Sequence, residues 1–265
     1  LIDLRNNGGG SLAEAIELTG LFIPEGPVVQ IRNSAGKVDI QADEDKNMYY
    51  EGPLGVLINR FSASASEIFS GAIQDYKRGV IIGEQSYGKG TVQNLLDLDR
   101  FLPEEGDEKP GQVKLTLAKF YRVTGSSTQH KGVTPDIGLP SRYDAESFGE
   151  SSIPSALPWD MISSTKFKPM DYVGKDLLND LEKNSSKRQK NDPLMIELVN
   201  DIEDFKKLQE KSEYSLNLET RKKEKEEAEK LRADRERLYG SLRNNSEVNE
   251  VEDETDRDNE DPYLQ

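Results

Sequence analysis

Short apolar runs alternate with helical spacings through the first half of the chain, and a polar, charged stretch comes after them. Leu1-Ile2-Asp3-Leu4 opens as a buried strand and leads into the glycine turn Gly8-Gly9-Gly10. Ser11 and Glu14 stand at capping-box spacing and predict a helix to about Leu21. Val28 to Ile31 and Val38 to Gln41 flank Asn33-Ser34-Ala35-Gly36, which predicts a hairpin. Gly55 to Asn59 reads as another buried strand. Ile68, Phe69, Ala72, Ile73 and Tyr76 then recur at helical spacing. Val80-Ile81-Ile82 predicts a strand, and Val113 to Val123 a long alternating one. Strands interleaved with helices place the fold in the layered α/β class.

The pattern changes near residue 140. Residues 141–158 are rich in Ser, Pro, Glu and Gly and read as a linker. Trp159, Ile162, Phe167 and Tyr172 are spaced to anchor the next unit on the core. Asp192-Pro193 starts an amphipathic helix carrying Met195, Ile196, Leu198, Val199, Ile202 and Phe205. Leu218 to Leu238 is dominated by Glu, Lys and Arg, the composition of a solvated helix with many i,i+4 pairs. The expected organisation is a core over 1–140, a linker over 141–158, a helical domain over 159–246 and an acidic, disordered tail over 247–265.

The chain has 265 residues, 34% hydrophobic and 32% charged, with a net charge of −15. That balance argues against nucleic-acid partners. It contains no cysteine, which excludes disulfides, cysteine-ligated zinc and a cysteine nucleophile. No basic n-region with an apolar signal segment is present, and no apolar run reaches membrane-spanning length. Opening in mid-strand, the sequence is expected to be a piece of a longer protein with residues ahead of Leu1.

The candidate chemistry lies in Ser62-Ala63-Ser64-Ala65-Ser66-Glu67 and Gly88-Lys89-Gly90-Thr91-Val92-Gln93. Ser64 falls between a strand and a helix, where a nucleophile is exposed and the first helical amides, that of Ala65 included, can face a developing oxyanion. Gly8-Gly9-Gly10 is suited to supply a second donor, because glycine permits close approach of backbone to substrate. A serine nucleophile needs a base. Lys89 can serve when its amine is neutral, which requires burial or a cationic neighbour. Gln93, four residues on, shares its side in either a helix or a strand and can orient the lysine.

Five motifs occur in order: Asp3 to Gly10, Ser62 to Ile68, Gly83-Glu84, Gly88 to Gln93 and His130-Lys131-Gly132-Val133-Thr134-Pro135-Asp136. Together they resemble the carboxy-terminal processing peptidases, in particular the tail-specific branch of bacteria. Ala156-Leu157-Pro158-Trp159-Asp160 and Asp261-Pro262-Tyr263-Leu264 are similar to that branch's C-terminal helical region. The resemblance implies a crotonase/Clp-protease-like core of strand–strand–helix units with a mainly helical extension. It implies a serine endopeptidase with a Ser64/Lys89 dyad, Gln93 assisting, and oxyanion donors at Ala65 and Gly10. Ser62 and Ser66 are then packing or capping residues, and Glu67 a structural one. No metal, nucleotide or other cofactor is implied. The implied substrates are proteins with nonpolar C-terminal tails, gripped in the family by an upstream PDZ-like domain, with a lipoprotein adaptor in some relatives. The implied setting is periplasmic.

Three other readings compete. His130, the one histidine, is a candidate triad base, but it lies in a polar turn without an acidic partner in sequence. Gly83 to Thr91 nearly spells a nucleotide-binding P-loop, although Gly90 replaces the hydroxyl residue and Glu84 would repel phosphate. A catalytically silent scaffold whose charged helices dock partners is the non-enzymatic alternative.

Overall fold

The structure is a computed structural model, and it describes residues 1–101, 111–144 and 147–245. The expected acidic tail and the Asp261 to Leu264 motif lie outside the described residues.

The described fold is mixed α/β, with two four-stranded sheets. The first is parallel and runs β1 (Ile2–Asp3), β4 (Gly55–Ile58), β5 (Val80–Gly83) and β8 (Ile137–Gly138) in that order across the sheet. Its central strands are short apolar runs, as burial on both faces requires. Val56 and Ile58 are fully buried in β4, as is Ile81 in β5. The second sheet is antiparallel: β3 (Val38–Asp43), β2 (Gly26–Asn33), β7 (Gln112–Tyr121) and β6 (Thr91–Asp97). β2 and β3 are the hairpin expected around Asn33 to Gly36.

Helix α1 (Leu12–Gly20) begins at Ser11, whose hydroxyl accepts from the Glu14 N–H at 3.4 Å. Helix α2 (Ala65–Asp75) is packed on two sides. Its Phe69 and Ile73 join Val56, Ile58 and Ile81 of the parallel sheet in one core cluster. Its Ile68, Ala72 and Tyr76 flank join Val28, Val29 and Phe120 of the antiparallel sheet and Ala15 of α1 in another. The i,i+4 repeats seen in the sequence are therefore two stripes facing two sheets. Every residue from Ser66 to Ile73 is buried. The N-terminus of α2 is thus fixed from both sides, and Ser64 caps it.

The segment after residue 158 continues to pack on this core. Phe167 and Met170 pack against the second cluster, and Val173 joins Val80 and Ile137 in a third. By contacts the chain divides after Glu182, well beyond the change in composition. α3 (Lys175–Asn191) spans that division.

Beyond it, Asp192 caps α4 (Pro193–Glu210) by accepting from the Leu194 N–H at 2.8 Å. Glu197, Asp201 and Asp204 lie on one face of α4. All three receive the half-buried guanidinium of Arg235 on α5 (Leu218–Asn245), at 2.8, 2.6 and 2.8 Å. No helix of the described residues is long and apolar enough to cross a membrane.

Candidate active site

Ser64 adopts φ 58° and ψ −113°, a left-handed backbone that a residue with a side chain enters only under constraint. Part of the constraint comes from two loops zipped together, residues 4–7 and 62–66. Ala63 N–H donates to the Asn7 carbonyl at 3.0 Å. Ser62 Oγ donates to the Leu4 carbonyl at 2.7 Å, and Ser66 Oγ to that of Asn7 at 3.0 Å. The two flanking serines are buried and tie the turn to the first glycine loop, in the packing role expected of them.

Gly9 is the glycine pressed against this turn. Its φ is +99°, and a Cβ there would lie 2.7 Å from the Ala63 oxygen and 2.8 Å from Ser64 Cβ. Its own N–H is taken by Asn7 Oδ1 at 2.9 Å. Gly10 has open space around it. Among the described residues, the amides of Ala65 and Gly10 have no protein acceptor, so both are available to a ligand.

Glu67 joins the Ser64 turn to the Lys89 loop. It is completely buried. Its Oε2 accepts the N–H of Ser64 at 2.8 Å and that of Lys89 at 3.0 Å. Its Oε1 accepts the N–H of Gly88 at 2.7 Å and the hydroxyl of Ser86 at 2.6 Å. One carboxylate oxygen therefore holds the backbones of Ser64 and Lys89 around a single point. Burial pushes the Glu67 carboxyl up to about 7, against the hydrogen bonds from Ser86, Gly88, Ser64 and Lys89 that pull it down. The sequence implied only a structural role for Glu67. The signal was present, because Ser64-x-x-Glu67 is itself capping-box spacing.

Lys89 and Gln93 line one pocket of about 470 Å³, together with Thr91 and Thr116. Positions i, i+2 and i+4 of an extended segment share a side, which sets Lys89, Thr91 and Gln93 together. Val92 pairs with Ala118 and Gln93 with Thr116, so Leu117 is the extra residue of a β-bulge and Thr116 comes opposite Gln93. Gln93 Nε2 reaches Thr116 Oγ1 at 3.4 Å. Among the described residues, the Lys89 ammonium has no hydrogen-bond or ion-pair partner; the pocket holds Glu150 but forms no ion pair with it.

Part of the pocket wall comes from residues 150–157, a segment read from sequence as linker apart from the motif that begins at Ala156. Glu150 N–H donates to the Tyr87 carbonyl at 3.0 Å. Asp160 receives Arg32 and Lys119, with the Tyr121 hydroxyl at 3.1 Å. Burial raises the Asp160 carboxyl, but the hydrogen bonds from Lys119, Arg32 and Tyr121 outweigh it and hold the group below its ordinary range. His130 is part of this fastening: its Nε2 bonds the Leu157 carbonyl at 2.7 Å, so that nitrogen carries a proton and does not face Ser64 as a base. The amides a P-loop would turn to phosphate are also engaged, Gly88 and Lys89 by Glu67 and Gly90 by Gln129 Oε1 at 2.8 Å.

A helix-capping serine, unpaired amides beside it and a lysine loop bonded to the same carboxylate describe an acyl-transfer type of site. Comparison with known proteins narrows the class. Residues 1–139 match peptidase family S41, and the chain belongs to that family. Residues 143–265 match the C-terminal domain of tail specific protease. The chain is 41% identical over 236 residues to a tail-specific protease of Haemophilus influenzae, covering 88% of this chain and 34% of the relative. It is 36% identical over 194 residues to a carboxy-terminal-processing protease of Bartonella bacilliformis, covering 70% and 42%. A solved structure of a photosystem II D1 C-terminal processing protease aligns with 37% identity and a TM-score of 0.45, covering 52% of this chain and 33% of that one. The chain spans less than half the length of these relatives.

Proposed function

We propose that the protein is a serine endopeptidase in which Ser64 is the nucleophile and Lys89 the base. The observation that carries this reading is the shared Glu67 oxygen, which holds the amides of both residues. Neutral Lys89 Nζ takes the Ser64 Oγ proton as Oγ bonds to the scissile carbonyl carbon. The oxyanion forms against the amides of Ala65 and Gly10. The C–N bond then breaks, and the Lys89 ammonium returns its proton to the leaving amine. Water then bonds to the acyl carbon as the same amine takes its proton, and the ammonium returns that proton to Ser64 Oγ as the bond from Oγ to the acyl carbon breaks. Gln93 orients Lys89 from the same pocket.

The substrates we assign are proteins with nonpolar C-terminal tails, in a periplasmic setting, with a lipoprotein adaptor as a possible partner class. The names of the relatives and the family's habits support this, as does the tail-specific match over residues 143–265. The domain organisation we assign places the catalytic motifs in residues 1–140, with residues 159–182 completing the core by packing on it and the helical remainder following.

The test is degradation of an unfolded protein bearing a nonpolar tail, set beside the same protein with a charged tail. Ser64→Ala should abolish cleavage, and Lys89→Ala should slow it by about 10²–10⁴-fold. His130→Ala should retain it. Full cleavage by Lys89→Ala, or loss confined to His130→Ala, would overturn the dyad. Equal rates for the two tails would overturn the substrate class.

A further inference from the structure

We infer that the pocket beside Lys89 receives a nonpolar side chain of the substrate residue immediately on the amine side of the scissile bond, with Ile153 and Leu157 as its selecting wall. The inference rests on the proposed dyad. A base that first takes the serine proton and later gives it to the leaving amine must touch both sides of the reacting carbonyl. Lys89 lines this pocket and Ser64 does not. The pocket is assigned to the amine side because the base, and not the nucleophile, lines it.

The lining is two-sided. Thr91, Gln93 and Thr116 form a polar floor on β6 and β7, suited to peptide backbone. Opposite them, Ile153 and Leu157 leave 40% and 42% of their surface exposed at the rim. An apolar substrate side chain laid there removes that surface from water, which is the term that gives discrimination.

The wall is built to hold its position. Glu150 is fastened to Tyr87, the Leu157 carbonyl to His130, and Asp160 to Arg32, Lys119 and Tyr121. Residues of the C-terminal match thus enter the peptidase site, and the extension contributes to what is cut as well as to how the chain is organised.

The experiment uses the full-length protein and peptides that share one cleavage site and differ only in the first residue on the amine side: Leu, Glu or Lys. The wild type should favour Leu over Glu in kcat/KM by about tenfold or more. Leu157→Lys should lower that Leu-to-Glu ratio by about tenfold, and Ile153→Lys should do so independently. Both side chains are partly exposed, so folding tolerates the changes, and the ratio is read within each variant. An unchanged ratio in both variants overturns the inference. So does a wild type without discrimination. A fluorophosphonate separates the two levels: labelling of Ser64 without discrimination sinks only the pocket assignment. Absence of both labelling and cleavage sinks the dyad on which it rests.

Discussion

Glu67 carries two opposite consequences of pH. As pH falls through about 7 the carboxylate protonates, and an oxygen that held an N–H or hydroxyl must now carry a proton of its own. The link between Ser64 and Lys89 weakens, so cleavage should fall. Stability moves the other way. The folded group takes up its proton near 7 and the unfolded one near 4.5, so between those values the folded state binds more protons. Its contribution to stability is full below 4.5 and is lost as pH rises through about 7. Arg60, Tyr87 and Lys89 are the other titratable groups near this carboxyl. Glu67→Gln replaces one acceptor oxygen by a donor facing N–H groups, and cleavage should drop by about a hundredfold or more. Thermal unfolding of the two proteins at pH 7.5 and 5.5 checks the sign: acidification should favour the wild type over the variant, by at most about 3 kcal/mol. A difference that shrinks on acidification would mean Glu67 is an ordinary low carboxylate. Ser64, Lys89 and Gln93 stand out as candidates in the sequence because motifs name them. The weight on Glu67 does not, because it depends on burial and on donors from a loop some twenty residues away in sequence.

At the level of elements, the site depends on the places where regular structure is interrupted. The alternation of Val113 to Val123 announced β7, and the helical spacing of Ile68 to Tyr76 announced α2, though not its packing on two sheets. The strand β6 was hidden behind Gly88 and Gly90, and the bulge at Leu117 in its partner strand has no local sequence mark. Nor did α3 show itself: its apolar face is short, with Leu178 and Leu181 packed on the third cluster, and the rest of the helix is polar. Gly9 is the interruption that can be tested most sharply. Gly9→Ala would place a methyl 2.7 Å from the Ala63 oxygen and 2.9 Å from the Ala65 nitrogen, at a φ of +99° that alanine resists. The nucleophile turn must then shift, and the Ala65 amide with it. We expect loss of cleavage and of fluorophosphonate labelling at Ser64, with destabilisation of about 1–3 kcal/mol. Full labelling by Gly9→Ala would show that the glycine loop does not set the geometry of Ser64.

For the whole molecule, the composition of the chain and its packing place the end of the core differently. Charge and Ser/Pro content change near residue 140, where a reader of sequence stops the core. Packing does not stop there, because a few apolar residues in a polar stretch suffice to bind it. Phe167 packs on Tyr76 with ring centroids 5.3 Å apart, Met170 N–H donates to the Tyr76 carbonyl at 2.7 Å, and Val173 is buried. The Trp159 indole donates to the Ser127 carbonyl at 2.9 Å, and buried Gln30 donates to that of Ser163 at 3.2 Å. Removing these apolar side chains from the core costs on the order of 5 kcal/mol, comparable to the whole stability of a typical domain, about 5–15 kcal/mol. Stop codons in the full-length protein distinguish the two boundaries. A stop after Pro140 also strips Arg32, Lys119 and Tyr121 of Asp160, and should give protein that is insoluble or unlabelled at Ser64. A stop after Asn191 keeps α3 whole and ends ahead of the Asp192 cap, and should leave soluble protein that still labels. Labelled, soluble protein from the shorter chain would show that the core closes where the composition changes, and that residues 150–173 are only laid upon it.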